Sequence, residues 1–181
     1  GPDIERGDNP VVIVSDATGY DRVDNYVFEG NFRANVRIPW VEGLTLTANA
    51  AYDRSFRLQK VFNKPWYLYT WDGNPDHVTT RGKRGFDSAQ LTESYSGGDN
   101  YLLNTFATYT RSFNTEHNIK LMAGMESRGG RGKNFGAFRR NFISDAIEEL
   151  FAGAEDQFMS NWGSASQNKY MSYFGRANYD F

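Results

Sequence analysis

Four aromatic residues lie close together in a polar part of the chain, and they are Trp66, Tyr67, Tyr69 and Trp71. Flat aromatic side chains with a polar edge can stack on the sugar rings of a ligand. The structural alternative is loop packing or an aromatic girdle at a membrane interface, where Trp and Tyr are enriched. We treat the group as a candidate substrate-binding site and keep the structural alternative open.

Charged residues at alternate positions form a second candidate site. Arg33, Arg37 and Arg176 fall on the polar faces of predicted strands, as do Glu29 and Asp180. On the polar face of a strand such side chains could contact a substrate. Charges in such positions also pair with another part of the protein or with each other across strands. The three arginines are therefore predicted, together with the aromatic group, as substrate-binding residues.

The sequence offers no constellation for catalysis or for metal binding. It contains no cysteine, so thiolate chemistry and a thiolate metal site are excluded. His77 and His117 have no plausible nucleophile partner, and no Gly-x-Ser-x-Gly elbow is present. The acidic loop residues between 16 and 24 and between 72 and 77 lack the spacing of an EF-hand. We predict a protein that is not an enzyme and that has no cofactor.

A Gly/Arg-rich run from Arg128 to Lys133 superficially resembles a nucleic-acid-binding or phosphate-binding segment. One such unit in a chain with a net charge of -2 is weak support for nucleic-acid binding. We expect this run to be a solvated loop and expect no nucleic-acid partner.

The elements that must position these residues are strands in which apolar and polar residues alternate. The clearest example is the segment from Val27 to Ile38. One face carries apolar residues such as Phe28, Phe32 and Val36, and the intervening residues are mostly polar. The same period of two recurs along three further segments and at the end of the chain. It predicts strands with one apolar and one wet face. These strands are expected within residues 26–56, 101–127 and 170–181.

Short and long connections alternate between these strands. The short ones are residues 39–43 and 114–116, and the long irregular ones are residues of about 57–99 and 128–169. In outer-membrane barrels short turns are periplasmic and long loops are extracellular. We therefore expect 57–99 and 128–169 to be extracellular, and residues 1–25 to belong to an earlier extracellular loop. The second loop also contains a predicted short helix between Asp145 and Gly153.

The composition favours the same class of protein. Aromatic residues make up 16% of the chain, yet only 39% is hydrophobic and the mean hydropathy is -0.66. A transmembrane barrel explains this combination because only its outward face is apolar. Five strands cannot close a barrel, and open edges in lipid are costly. The predicted fold class is all-β, part of a transmembrane antiparallel β-barrel of the bacterial outer membrane, completed by strands from a longer polypeptide.

The run KYMSYFGRANYD, from Lys169 to Asp180, resembles a barrel strand of one family, the SusC/RagA-like TonB-dependent transporters of Bacteroidota. It is the most specific of several such matches. NWGSAS, from Asn161 to Ser166, resembles the segment that usually precedes it. EHNIKLMAGME, from Glu116 to Glu126, is similar to another strand. Residues 40–44 resemble a periplasmic turn, and residues 64–69 resemble an aromatic loop opening.

The resemblance implies a barrel of about 22 strands filled by an N-terminal plug. It also implies energisation by the TonB complex, a SusD-like surface lipoprotein as a lid, and dimers of transporter–lid pairs. Its usual cargo is a glycan or an oligopeptide. We recognise no plug domain and no TonB box in residues 1–181, so no energy-coupling residue is assigned.

The competing hypothesis is a soluble all-β carbohydrate-binding module that uses the aromatics between Trp66 and Trp71. Such a sandwich would need more and shorter strands, with turn signals at intervals of about 8–12 residues. The few long strands and the two long irregular stretches favour the transporter.

Overall fold

A computed structural model gives the fold of residues 9–71, 73, 75–76, 79–114, 116–144 and 146–181. Strands account for 72% of the chain and helix for 4%. The one α-helix of the described part, α1, is Pro10–Ile13, and a 3-10 turn covers Leu150–Ala152. In the described part, no helix combines the length and the apolar character that a membrane crossing requires.

Five long strands form one antiparallel sheet, which confirms the predicted all-β class and the barrel-like arrangement of strands. The strands of the described part are β1 Gly19–Arg37, β2 Leu44–Asn63, β3 Trp66–Trp71, β4 Thr79–Arg84, β5 Gln90–Phe113, β6 His117–Arg140 and β7 Ser160–Asp180. The order in the five-stranded sheet is β1-β2-β5-β6-β7, so β1 and β7 are its edges. A separate two-stranded sheet pairs β3 with β4.

The short turn between β1 and β2 depends on a glycine. Gly43 has a φ of +86°, and a Cβ at this position would lie 2.0 Å from the backbone oxygen of Thr110. The Gly43 carbonyl accepts a hydrogen bond from the Thr110 amide at 2.9 Å. The turn is thus fixed against β5 by a close backbone approach that only glycine permits. At the second short turn, Asn114 takes the left-handed conformation that asparagine tolerates.

The strands are longer, and the irregular stretches shorter, than the alternation predicts. Within residues 57–99, β2 continues to Asn63, β5 begins at Gln90, and the β3–β4 hairpin lies between them. Within residues 128–169, β6 continues to Arg140 and β7 begins at Ser160. Residues 19–25, expected to be loop, belong to β1. The extracellular location of these stretches stays a prediction.

Two smaller expectations were wrong in the same region. The run from Arg128 to Lys133 is not a loop but part of β6, and Gly129 and Gly130 within it are buried. A Cβ at Gly129 would come within 2.7 Å of the Tyr101 ring, which explains why glycine is needed there. The predicted helix reduces to the 3-10 turn, and Gly153 after it is extended rather than left-handed. Asp145, its predicted cap, lies outside the described residues.

The chain divides into two compact units, each of which contains a segment of all five long strands. The long-loop unit comprises the described residues of Gly1–Asp24, Arg57–Ser96 and Asn134–Ser164. The short-turn unit comprises Asn25–Phe56, Gly97–Lys133 and Ala165–Phe181.

The long-loop unit contains a small hydrophobic core. Phe62 and Leu91 are fully buried with Ala89, and Tyr20, Phe142 and Leu150 pack against them. Phe142 and Leu150 belong to residues 141–159, which connect β6 to β7 and which we call the β6–β7 segment. This segment therefore covers one face of the strand ends in its unit.

In the short-turn unit the two sides of the strands differ in chemistry. Large apolar side chains at alternate positions are exposed, such as Phe28 at 62%, Phe32 at 69% and Tyr173 at 75%. Polar side chains hydrogen-bond on the intervening positions. Thr47 donates to Asn35, and Asn104 donates to Glu126. The alternation predicted from the sequence is therefore a physical separation of an apolar and a polar face.

Candidate ligand-binding face

The predicted aromatic group lies on β3, and strand geometry divides it between two faces. β3 pairs antiparallel with β4 in the register Trp66↔Arg84, Tyr67↔Lys83, Tyr69↔Arg81 and Trp71↔Thr79. Because successive side chains of a strand point to opposite faces, Trp66 and Leu68 share one face. Tyr67, Tyr69 and Trp71 share the other.

Trp66 is an anchor of the hairpin rather than part of an open surface. Its exposed fraction is only 9%. A Cβ at Gly85 would lie 2.9 Å from the Trp66 ring, so the ring packs directly over that glycine. Gly85 also has a φ of +75°, which glycine adopts without strain. Trp66 therefore has a packing role within the hairpin, as the structural alternative predicts, and does not face a ligand.

The other three aromatic residues are exposed, with exposed fractions of 38% for Tyr67, 65% for Tyr69 and 54% for Trp71. They lie at alternate positions of one strand, a spacing of about 6.6 Å. Three rings at this spacing present a row of apolar surfaces to a ligand that runs along the strand.

Two basic residues complete this surface, and the sequence analysis did not assign them to the site. Directly paired residues of antiparallel strands project to the same side, so Arg81 and Lys83 share the face of Tyr69 and Tyr67. The Arg81 guanidinium lies 3.4 Å from the centre of the Tyr67 ring, a cation–π contact. The Lys83 ammonium donates to the backbone oxygen of Asp87. We call Tyr67, Tyr69, Trp71, Arg81 and Lys83 the aromatic–basic face.

A sequence signal for the two basic residues existed but was weak. Arg81 and Lys83 are two positions apart, as strand residues on one face must be. Nearby glycines and Arg84 hide that period, and the pairing register with β3 cannot be read from composition.

The three predicted arginines do not join this face. Arg33 and Arg37 are exposed on β1, and Arg176 is exposed on β7, where its Nε donates to Asn178 at 3.0 Å. β2, β5 and β6 lie between those two strands in the sheet. Arg33 lines a cavity of about 300 Å³ with Asn31 and Asn49. Their role as substrate-binding residues stays a prediction.

The side chains of the aromatic–basic face are suited to binding a ligand. Rings supply stacking and apolar contact, and the two cations attract carboxylate, sulfate or phosphate groups. Among the residues that the structure describes, no group of three His, Cys, Asp or Glu side chains is placed to hold a metal ion.

Fold and site together define an all-β protein whose long antiparallel strands carry an exposed aromatic–basic hairpin. The same arrangement of strands is found in solved structures of the RagAB peptide importer. For its open-open state the TM-score is 0.69 at 21% sequence identity, over 89% of this chain and 16% of that chain. A structure of the RagAB peptide transporter gives 0.69 at 22% identity with the same coverage. The closed-closed state gives 0.70 at 21% identity.

These likenesses concern the fold, because the sequence identities are low. The chain spans only 16% of the length of the transporter chains it resembles. No protein-family model matches the sequence. No curated protein matches it either.

Proposed function

We propose that this chain forms part of a transporter barrel in the bacterial outer membrane that imports oligopeptides or glycans. The observation that carries the proposal is the distribution of apolar side chains. In the described part of the chain, the buried hydrophobic residues all belong to the long-loop unit. They are Phe62, Trp66, Ala89, Leu91 and Ala152.

The short-turn unit has the opposite distribution, with large apolar residues exposed along its strands. Phe32, Val36, Leu46, Leu121 and Tyr173 have exposed fractions between 43% and 75%. Burying one such side chain stabilises a protein by about 1.5–3 kcal/mol, so a water-soluble domain would bury most of them. A hydrocarbon environment removes the penalty, because it solvates these side chains as a core would.

The polar face of the same unit fits a barrel lumen. It carries the Asn35–Thr47 and Asn104–Glu126 hydrogen bonds, and Arg33, Arg37 and Arg176 occupy polar positions of β1 and β7. On this proposal the three arginines face the lumen, where they meet cargo or a plug.

The edges of the sheet support a larger assembly. β1 and β7 are 19 and 21 residues long and stand at the two ends of the sheet. Unpaired edge groups in lipid would each cost several kcal/mol, so both edges require further strands of the barrel. The proposed partners are those strands and a plug of the same transporter, outer-membrane lipid, a SusD-like surface lipoprotein and the TonB complex. Dimers of transporter–lid pairs belong to the same proposal.

The cargo class follows from two observations of different kinds. The fold is similar to that of a peptide importer, which favours oligopeptides. The exposed rings of Tyr69 and Trp71 also suit sugar faces, which keeps glycans in the proposal.

The same rings favour the second candidate function, a soluble carbohydrate-binding module.

Site-directed labelling separates the two functions, and residues 1–181 contain no cysteine that would compete with the introduced one. Single cysteines replace Phe32 and its neighbour Asn31, and each carries an environment-sensitive fluorophore in the parent protein in outer-membrane vesicles. Tyr173→Cys and Ser172→Cys form a second matched pair on β7. We expect quenching by lipid-soluble quenchers at positions 32 and 173 and by aqueous iodide at 31 and 172. Equal aqueous quenching at all four positions, with the parent protein in the soluble fraction, would establish the soluble module instead.

A further inference from the structure

We propose that the β3–β4 hairpin binds an extended peptide with acidic side chains at alternate positions, which pairs with the free edge of β4. The inference rests on the proposed import function and specifies its cargo. It is carried by the charge of the hairpin, by its spacing and by its open edge.

The charge of the hairpin is opposite in sign to that of the whole chain. Residues 64–85 contain four basic residues and two acidic ones, whereas the chain has a net charge of -2. On the aromatic–basic face itself both charged members, Arg81 and Lys83, are cations. Asp76 is exposed near the tip, and Asp72 lies outside the described residues. The face therefore attracts an anionic ligand locally, although residues 1–181 together carry a net negative charge.

The spacing of the two cations matches an extended peptide. Arg81 and Lys83 are two residues apart on a strand, which corresponds to about 6.6–6.8 Å. An extended peptide repeats its own side chains on one face with the same period. A strand added beside β4 therefore places two acidic side chains opposite Arg81 and Lys83, at the distance of a cross-strand pair.

The backbone of the hairpin is available for such pairing. In the described structure β3 and β4 form a sheet of two strands, so β4 has one edge that pairs with no other strand. Thr79, Thr80, Arg81 and Lys83 along β4 are exposed. Adding a strand to an open edge gives main-chain hydrogen bonds for affinity and side-chain positions for specificity. A glycan has no matching main-chain groups, and for this reason we assign a peptide to the site.

The aromatic residues support the two cations of the site. Tyr67, Tyr69 and Trp71 lie on the same face as the cations but on β3, so they border the cations on the side away from the added peptide and can hold them in place. The Arg81 guanidinium is already held over Tyr67 at 3.4 Å, which limits the side-chain entropy lost on binding.

The test uses titration calorimetry on the parent protein in detergent micelles, with blocked synthetic peptides as probes. One peptide alternates glutamate with threonine, and its matched control alternates glutamine with threonine. We expect the glutamate peptide to bind and the glutamine peptide to bind at least about fivefold more weakly, the effect of losing one or two exposed ion pairs. We expect the same weakening in the double variant Arg81→Gln/Lys83→Gln and none in Lys120→Gln, an exposed lysine of β6.

The pairing with β4 has its own probe. Two versions of the glutamate peptide are N-methylated, one on every glutamate and one on every threonine. Only one of the two sets of amides faces β4, so we expect one version to lose binding and the other to retain it.

Three outcomes overturn the inference. They are equal binding of both peptides, equal loss from both N-methylated versions, and preferential binding of an oligogalacturonate of the same charge. The last would assign the face to acidic glycans. Circular dichroism of each variant checks that its overall strand content equals that of the wild type. The labelling of positions 31, 32, 172 and 173 reports on the barrel without any peptide, so failure of the cargo assignment and failure of the import function are distinguishable.

Discussion

The Tyr20 hydroxyl donates a hydrogen bond of 2.6 Å to Glu148 Oε2, which joins residues that are 128 positions apart in the chain. Tyr20 lies near the start of β1, and Glu148 belongs to the β6–β7 segment. The neighbouring Glu149 accepts from Lys60 of β2 at 3.0 Å, and Lys60 also pairs with Glu93 of β5 at 3.1 Å. Two consecutive glutamates thus hold the β6–β7 segment on β1 and β2, and Lys60 links the second of them to β5.

Removal of the Tyr20 hydroxyl should loosen the β6–β7 segment without unfolding the sheet. We expect Tyr20→Phe to lower the local free energy of opening by about 0.5–1.5 kcal/mol, since one partly exposed hydrogen bond is lost while the ring stays against Phe62. Hydrogen exchange at the amides of Ile143 and Ala154, which bond to Ala152 and Arg140, measures this opening. Tyr26→Phe keeps its stacking on Phe56 and serves as the control. Equal exchange in Tyr20→Phe and the wild type would show that the hydroxyl adds nothing.

The same contacts predict that the segment is released at alkaline pH. Burial, the hydrogen bond to Glu148 and its negative charge raise the pKa of Tyr20 above the ordinary 10.0. Burial alone would lower the pKa of Lys60, but hydrogen bonds to Glu149 and Glu93 outweigh it and raise that pKa above 10.5. In both cases the folded state holds the proton more tightly than the unfolded state. The stabilisation is therefore complete below pH 10 and is lost as the pH rises through the raised pKa values.

Spin labels on Leu58→Cys and Phe151→Cys test this pH dependence, since both side chains are exposed in the long-loop unit. We expect a narrow distance distribution at pH 9 that broadens as the pH rises above about 10.5. Lys60→Met and Tyr20→Phe should each broaden the distribution already at pH 9. Broadening that begins near neutral pH would assign the release to other groups.

Gly85 should be indispensable for the packing of the Trp66 ring. Alanine at this position meets two costs, the left-handed φ of +75° and a Cβ only 2.9 Å from the ring. Gly73 offers a matched control, because its φ is +86° and nothing lies within 4 Å of its Cβ position. We expect Gly73→Ala to destabilise the hairpin by about 1 kcal/mol and Gly85→Ala by about 2 kcal/mol or more.

The fluorescence of Trp66 reports directly on how this ring is packed. Trp66 is buried, whereas Trp40, Trp71 and Trp162 are exposed and can be replaced by Phe to leave one emitter. In that background we expect acrylamide to quench Trp66 more strongly in Gly85→Ala than in Gly73→Ala. Equal quenching would mean that only backbone conformation matters at Gly85.

The short-turn unit was predictable because each strand there has one apolar and one polar face. Phe28 and Phe32 against Glu29 and Arg33 give a period of two that is visible in the sequence. Gly43 and Asn114 mark its turns through conformations that other residues avoid. These signals are local, so a single sequence contains them.

The long-loop unit was not predictable because protein covers the apolar face of its strand ends. Lys60 and Phe62 are two positions apart on β2, and Glu93 and Leu91 are two apart on β5. Lys60 forms ion pairs with Glu149 of the β6–β7 segment and with Glu93, whereas Phe62 and Leu91 are buried in the core. One face therefore mixes charged and apolar residues, and the period of two disappears from the sequence.

The candidate site was half predictable. An aromatic cluster can be read from residues 66–71, but which rings are exposed depends on the packing of Trp66 over Gly85. The contribution of Arg81 and Lys83 depends on the register between β3 and β4, which is set by contacts across the hairpin.

A glycine on β6 provides the last prediction, and it concerns the polar face of the short-turn unit. Phe106 on β5 and Phe174 on β7 break the polar pattern of that face, and their rings lie 6.4 Å apart over Gly124. A Cβ at Gly124 would lie 2.5 Å from Phe106 Cβ, 2.6 Å from the backbone oxygen of Thr105 and 2.7 Å from Phe174 Cζ.

Because the backbone cannot move aside as a side chain can, we expect Gly124→Val to destabilise the sheet by about 1–3 kcal/mol. Gly175→Ala is the control, since only the Met122 oxygen lies within 4 Å, at 3.6 Å. Urea unfolding in detergent, followed by circular dichroism, should show a lower midpoint for Gly124→Val and an unchanged one for Gly175→Ala. If the two variants unfold alike, the rings of Phe106 and Phe174 do not close over Gly124 as tightly as the geometry requires.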